Sequence, residues 1–255
     1  MVILYIFAHF DDEYCAVPLL REHSCRGDVQ HFLYVADYKD ANQRARRRRE
    51  SESFLARWGF GRELIGHLGA EACALDGTCH LNLQSIYKQL RRRAAKLGTI
   101  DQIVTPAWEG GHMDHDACAA LAVALATEFE VPVIEQFSLY NGIGLYGPLF
   151  RAGHPLKENG PSRRLGITIE DLTAWAIGVG HYPSQFKTWL GLWPVMFTAV
   201  AFRGFFVQRL VPDRVKERPH AGRLLYERLY GVPYDEVRQK IDAFLSSATR
   251  TASDR

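Results

Sequence analysis

The chain has 255 residues, 47% of them hydrophobic and 24% charged, with a formal net charge of +2. That length lets one α/β domain bury a continuous core, although two small domains also fit, and the composition is that of an ordinary globular protein. A near-neutral balance gives no electrostatic reason to expect nucleic acid or an acidic membrane as a partner.

Val2–Ala8 is a short apolar run that ends abruptly in a charged cluster, and it reads as a strand buried on both faces. The same N-terminal stretch lacks a basic region and turns acidic after the run, which suits a first strand and not a signal peptide. His31–Ala36 is a second strand, followed by a helix over Ala41–Trp58. The helical stretch Leu83–Leu97, closed by Gly98, precedes a third strand at Ile100–Pro106. A helix over His115–Phe129 then precedes a fourth strand at Val131–Leu139.

This alternation predicts an α/β fold, a Rossmann-like three-layer sandwich with a mainly parallel sheet. The expected organisation is one domain over 1–255, with a core in 1–140 and a pocket-forming, helical elaboration in 141–255. Residues 142–161, rich in Gly and Pro, read as loops, and Glu170–Gly180 as a helix. Phe186–Val211 is apolar and aromatic, open to three readings: core, subunit interface, or a surface that adsorbs to a membrane. Tyr234–Phe244 reads as an amphipathic helix, with the chain frayed from Ser246. The five cysteines, Cys15, Cys25, Cys73, Cys79 and Cys118, include no Cys-x-x-Cys pair, so a reduced, cytoplasmic protein is expected.

Ligands of such sheets sit beyond the carboxyl ends of the strands, so the segments that follow strands carry the chemistry. Ala8-His9-Phe10-Asp11-Asp12-Glu13 follows the first strand, and Gly110-Gly111-His112-Met113-Asp114-His115 follows the third. An acidic triplet after a strand is ordinarily a helix's first turn, and surface histidines cluster by chance. Two His/Asp clusters on one sheet rim are a different matter. Together they offer three ligands for zinc, which takes imidazole and carboxylate donors, with groups left over for proton transfer.

These two motifs resemble the signatures AHPDDE and GHPDH of the LmbE-like, or PIG-L, de-N-acetylase family, over roughly residues 2–140 in order and spacing. The resemblance implies a Rossmann-like fold, one zinc ion per chain, and an enzyme that cleaves the N-acyl group, most often acetyl, of an amino sugar. It places His9, Asp12 and His115 as zinc ligands and Asp11 as the general base. It makes His112 the group that stabilises the oxyanion and assists the leaving group, with Asp114 orienting it or tuning its charge. Phe10 and Met113 stand where both signatures carry proline, so the loops are expected to differ, with Phe10 reshaping the pocket floor.

The residue types suit amide hydrolysis. Zinc lowers the pKa of a bound water to about 7 and polarises a carbonyl. Asp11, beside the metal and not ligating it, can take the proton, and a cationic His112 can meet the developing oxyanion. Either residue could protonate the departing nitrogen, and the residue pattern does not choose between them.

Arg44 and Arg46–Arg49 read as a solvated helix face interleaved with Glu50 and Glu52, not as a nucleic-acid site, and Arg91–Arg93 likewise. Arg47 is separate, because it shares one helical stripe with Ser51, Phe54, Leu55 and Trp58 and sits near the sheet's carboxyl rim. The family's Arg-x-x-Glu is matched by Arg47 to Glu50, which implies substrate binding by Arg47, with Glu50 orienting it. His181-Tyr182-Pro183-Ser184-Gln185 is similar to a Tyr-x-Ser-Gln element of the family, so Tyr182, Ser184 and Gln185 join the substrate-binding candidates; the residues alone fit a turn at Pro183 equally. His154, His181 and His220 read as surface or packing residues.

The expected partner is an amino-sugar substrate in a glycan, glycolipid or sugar conjugate; membrane-surface contact and a homo-oligomer are compatible with the chain but not required. An amidase acting on thiol-sugar conjugates and a non-catalytic carbohydrate-binding module are the alternatives. No Gly-x-Gly-x-x-Gly follows the first strand, which argues against dinucleotide binding.

Overall fold

The computed structural model describes residues 1–253, with side chains through 248. In chain order, β1 (Val2–Phe7), α1 (Asp12–Cys15) and α2 (Val17–Cys25) lead to β2 (Val29–Tyr34), and α3 (Ala41–Arg57) to β3 (Ile65–His67). Then come α4 (Gly69–Ala72), α5 (Leu83–Ala94), β4 (Gln102–Pro106), α6 (Met113–Glu128) and β5 (Val133–Phe137). A hairpin of β6 (Tyr140–Asn141) and β7 (Arg151–Ala152) precedes β8 (Ser162–Leu165), α7 (Ile169–Gly178), α8 (Phe186–Arg203) and β9 (Phe205–Arg209). The short α9 (Leu225–Leu229) and the long α10 (Tyr234–Ser253) end the described chain.

Seven strands form one sheet in the order β3-β2-β1-β4-β5-β9-β8. The five from β3 to β5 are parallel, with Leu4 opposite His31 on one side and Ile103 on the other. β9 and β8 complete the sheet antiparallel. The four strands expected from the sequence are β1, β2, β4 and β5, each end within two residues.

The strand order reverses at β1, which has β2 on one side and β4 on the other. Loops leaving β1 and β4 at such a point diverge to opposite faces of the sheet and open a crevice between them, where ligands of open α/β sheets bind. Both His/Asp motifs lie on these two loops.

One face of the sheet is covered by α5, α6 and α10, packed around Ile86, Leu90, Leu121 and Ile241. The other is covered by α2, α3, α7 and α8, around Leu19, Phe54, Trp175 and Trp189. α6 is buried on every side from Met113 to Ala126, because its many alanines let it lie close to the sheet.

Three readings of the second half need correction. The Gly/Pro-rich stretch holds the β6–β7 hairpin as well as loops. The aromatic segment is a helix and a strand, and the helix is core on one side only: Trp189 and Val200 are buried, while Phe202 is 81% exposed. The final helix does not fray at Ser246 but runs through Ser253, because α5 and α6 pack along it; residues 254–255 lie outside the described residues. Among the described residues, no helix is long and apolar enough to cross a membrane.

Candidate metal centre

At the end of β1 the chain folds back sharply, with Asp11 N and Asp12 N both donating to His9 O. Asp12 Oδ2 accepts from Ala8 N at 2.8 Å and from His9 N at 2.9 Å, which fixes the carboxylate. Its other oxygen, Oδ1, is thereby turned outward, 3.2 Å from His115 Nε2 and 4.0 Å from His9 Nδ1.

His115 is carried by the first turn of α6. The loop before it is held by the Asp116 carboxylate, which accepts from Glu109 N and Gly110 N. At Gly111 a Cβ would lie 2.1 Å from Tyr140 O, so only glycine lets this loop pass under the hairpin. Buried Glu109 fastens the hairpin from below, accepting from Leu139 N, Tyr140 N and Asn141 Nδ2.

The donor set fits a divalent metal. His9, Asp12 and His115 each offer a ligand atom, all within 4.8 Å of one another. Two ligands at about 2.0–2.2 Å in tetrahedral geometry stand roughly 3.3–3.6 Å apart, the scale of the spacings found here. Charge points the same way. The carboxylates of Asp12, Asp76 and Asp114 gather around the imidazoles of His9, His112 and His115, a set of negative groups that a cation would offset. Burial pushes the Asp11 carboxyl up to about 8, and the charge of Asp12 adds to the effect. Burial would lower His9, but the Asp76 and Asp114 carboxylates outweigh it and hold the imidazole well above its usual range.

A second group of potential ligands, His9, Asp76, His112 and Asp114, shares His9 with the first. It uses the other ring nitrogen: His9 Nε2 lies 3.2 Å from both Asp76 Oδ1 and Asp114 Oδ2. Asp114 is already occupied by backbone donors, Gly77 N at 2.6 Å and Cys79 N at 2.9 Å.

The cavity, about 190 Å³, is lined by His9, Asp11, Asp12, Asp76, His112 and His115, with Arg47, Gln185 and Tyr230. Leu139, Trp189, Leu192 and Met196 give it an apolar wall. The Arg47 guanidinium lies 4.3 Å over the Tyr38 ring, and its buried Nε has no partner among the described residues.

Several expectations change. The Asp114 carboxylate makes no hydrogen bond to His112; it contacts His9 and reaches His112 through charge alone. Burial, reinforced by the charge of His9, pushes the His112 imidazole down to about 4, which disfavours the cationic form expected of it. Its Nδ1 accepts from Asp114 N, which leaves Nε2 as the N–H. Tyr182 and Ser184 turn away from the cavity: Tyr182 Oη donates to Glu13 at 2.7 Å, and Ser184 donates to Glu50 through N and Oγ. Gln185 does reach the cavity wall, with Nε2 donating to Phe10 O.

Glu50 therefore braces the 183–185 turn and does not touch Arg47, and buried Glu52 ties Arg48, Arg62 and His67 together; neither belongs to a solvated face. Phe10 is not on the pocket floor but packs in the core against Tyr34, Tyr38 and His67.

Asp76 went unread in the sequence. It lies on a loop pinned beside the end of β2, where Asp37 N donates to Ala74 O and Asp76 N to Asp37 O. Gly69 permits that approach, since a Cβ there would stand 2.4 Å from Ala36 C. The one available signal was Asp76-Gly77, an ordinary turn pair that says nothing of a site.

No protein-family model matches the chain, and no curated protein does. Solved structures do. A deacetylase of the teicoplanin biosynthesis pathway, in complex with bog, superposes with a TM-score of 0.63 at 17% identity, covering 83% of this chain and 98% of that one. The A40926 pseudoaglycone deacetylase Dbv21 gives 0.60 at 19%, covering 86% and 98%. N,N'-diacetylchitobiose deacetylase from Pyrococcus horikoshii gives 0.52 at 16%, covering 81% and 83%. At these identities the likeness establishes a shared fold over most of the chain.

Proposed function

We propose that this chain, which has the fold of these deacetylases, is a zinc-dependent hydrolase that removes an N-acyl group, acetyl above all, from an amino sugar. The observation that carries the reading is the convergence of His9 Nδ1, Asp12 Oδ1 and His115 Nε2 at the reversal of strand order, with Asp11 in the same cavity. The neighbours in fold include deacetylases of the teicoplanin biosynthesis pathway, of the A40926 pseudoaglycone and of N,N'-diacetylchitobiose, and the last of these supports an N-acetylated sugar as the substrate class.

His9, Asp12 and His115 are the proposed ligands. When bound, zinc would supply Lewis acidity and lower the pKa of water at the site. In this reading the Nε2–H of His9 donates to Asp114, which fixes the tautomer and leaves Nδ1 free to ligate.

With a divalent cation held by its neighbour Asp12, the Asp11 carboxyl would be kept ionised, so that it can take the proton of the attacking water and return it to the amine nitrogen as the C–N bond breaks. The low proton affinity of His112 supports this route over protonation by the imidazole. His112 instead points its Nε2–H at the carbonyl oxygen as charge develops there, a role worth roughly 3–4 kcal/mol for a preorganised donor. Arg47 and Asp76 give the cavity mouth one donor and one acceptor for sugar hydroxyls.

The test is Asp11→Asn, assayed for amine release from a panel of N-acetylglucosamine derivatives, with metal content measured alongside. Zinc retained at one per chain and turnover reduced at least about 100-fold is the expected result. Turnover near the wild-type level removes Asp11 as the base, and no amine release by the wild type from any member of the panel removes the substrate class.

A further inference from the structure

A helix at a protein surface ordinarily sets polar side chains opposite its buried stripe. α8 does not. It contains no Asp or Glu over its 18 residues, and its only charged side chains are Lys187 and Arg203. Trp189, Met196 and Val200 face the core, while Phe186, Leu190, Val195 and Phe202 on the opposite arc are 65%, 66%, 43% and 81% exposed. A helix apolar all round is a buried helix, so half of α8 lacks a cover.

We infer that the exposed arc of α8 docks the protein on an anionic lipid surface, lying in the plane of the headgroups. α8 is not long and apolar enough to cross a bilayer, whereas an apolar face that carries a cation, Lys187, free among the described residues, and no anionic side chain of its own is what interfacial binding uses; Arg203 is tied back to Ala152 O. A second copy of the chain fits less well. A two-fold interface sets a patch against itself, which would bring Lys187 toward its own copy with no carboxylate on the helix to pair it. Placement adds a second argument. Thr188, Leu192 and Met196 of the same helix line the catalytic cavity, so a surface held against the arc stands beside the cavity's mouth. The inference rests on the exposed arc and does not depend on the chemistry of the site.

The test is co-sedimentation of the full chain with vesicles of phosphatidylcholine alone or with one quarter phosphatidylglycerol. Binding to the anionic vesicles, with a blue shift in tryptophan emission, is expected, and weaker binding to the neutral ones. The triple variant Phe186→Ser, Leu190→Ser, Phe202→Ser should bind at least tenfold more weakly with the circular dichroism and metal content of the wild type. Lys187→Glu should weaken only the anionic case, and Val29→Ser, at an exposed apolar position outside the patch, should change nothing. If the triple variant misfolds, Lys187→Glu alone decides the matter. Absence of binding to either vesicle overturns the inference, as does a micromolar dimer in sedimentation velocity that the triple variant dissolves.

Discussion

Asp114 Oδ2 lies 3.2 Å from His9 Nε2, and the same carboxylate accepts from Gly77 N and Cys79 N. One buried side chain thus joins both His/Asp motifs to the Asp76 loop and sets which nitrogen of His9 faces Asp12. Carboxylates placed behind a metal-binding histidine are typically worth 10- to 100-fold in affinity. Asp114→Asn should weaken zinc binding by that range in a chelator competition. Unchanged affinity would mean that Asp114 acts on His112 only.

Arg47 and Asp76 stand at the cavity, and neither is among the three proposed ligands. Arg47→Ala should raise KM about tenfold and change kcat by less than about threefold, the pattern of a group that binds ground and transition states alike. Asp76→Asn should do the same and leave zinc content at one per chain, since Asp114 still holds His9. A collapse of kcat with KM unchanged in either variant would place that residue in the chemical step.

Gly111→Ala forces a Cβ to within 2.1 Å of Tyr140 O, and backbone cannot give way as a flexible side chain does. A loss of about 2 kcal/mol or more is expected from the denaturant midpoint, with the slope unchanged. Stability within 0.5 kcal/mol of wild type would show that the hairpin moves freely over this loop.

His23 sets a pH dependence away from the site. It is fully buried with Nδ1 2.7 Å from Tyr5 Oη, and burial, helped by Arg26, pushes it down to about 4. The unfolded value is about 6.5, so the unfolded chain takes up the proton first. The stabilisation from a neutral His23 is complete above pH 6.5 and is lost as pH falls toward 4, amounting to roughly 3 kcal/mol. His67, also held down to about 4, adds to the loss in the same window. His23→Gln should therefore be less stable at pH 7.5 but show a flatter decline from pH 6.5 to 4. Parallel curves for the two proteins would remove His23 as a cause.

The parallel half of the fold was legible because β1 is a continuous buried apolar run, and β2, β4 and β5 carry mostly buried clusters of apolar residues that alternate with helical stretches. The antiparallel edge was not: β8 reads Ser-Arg-Arg-Leu, and charged side chains on an edge strand look like loop. The site was legible where its residues flank a strand that could be read, as His9 to Asp12 and His112 to His115 do. Asp76 was missed because β3, three residues long, carries no periodic signal, and the Asp76 loop is positioned by β2 through Asp37. Tyr182 and Ser184 lie close to the cavity in sequence pattern, yet their hydrogen bonds go to Glu13 and Glu50, a distinction only side-chain geometry makes.

The most direct measurement is a crystal structure of the zinc-loaded protein with anomalous data at the zinc edge. One peak bounded by His9 Nδ1, Asp12 Oδ1 and His115 Nε2, with the Asp11 carboxyl facing the open coordination position, is predicted. A peak on the far side of the imidazole, bounded by His9 Nε2, Asp76 and Asp114, would contradict the account, as would a protein that takes up no zinc at all.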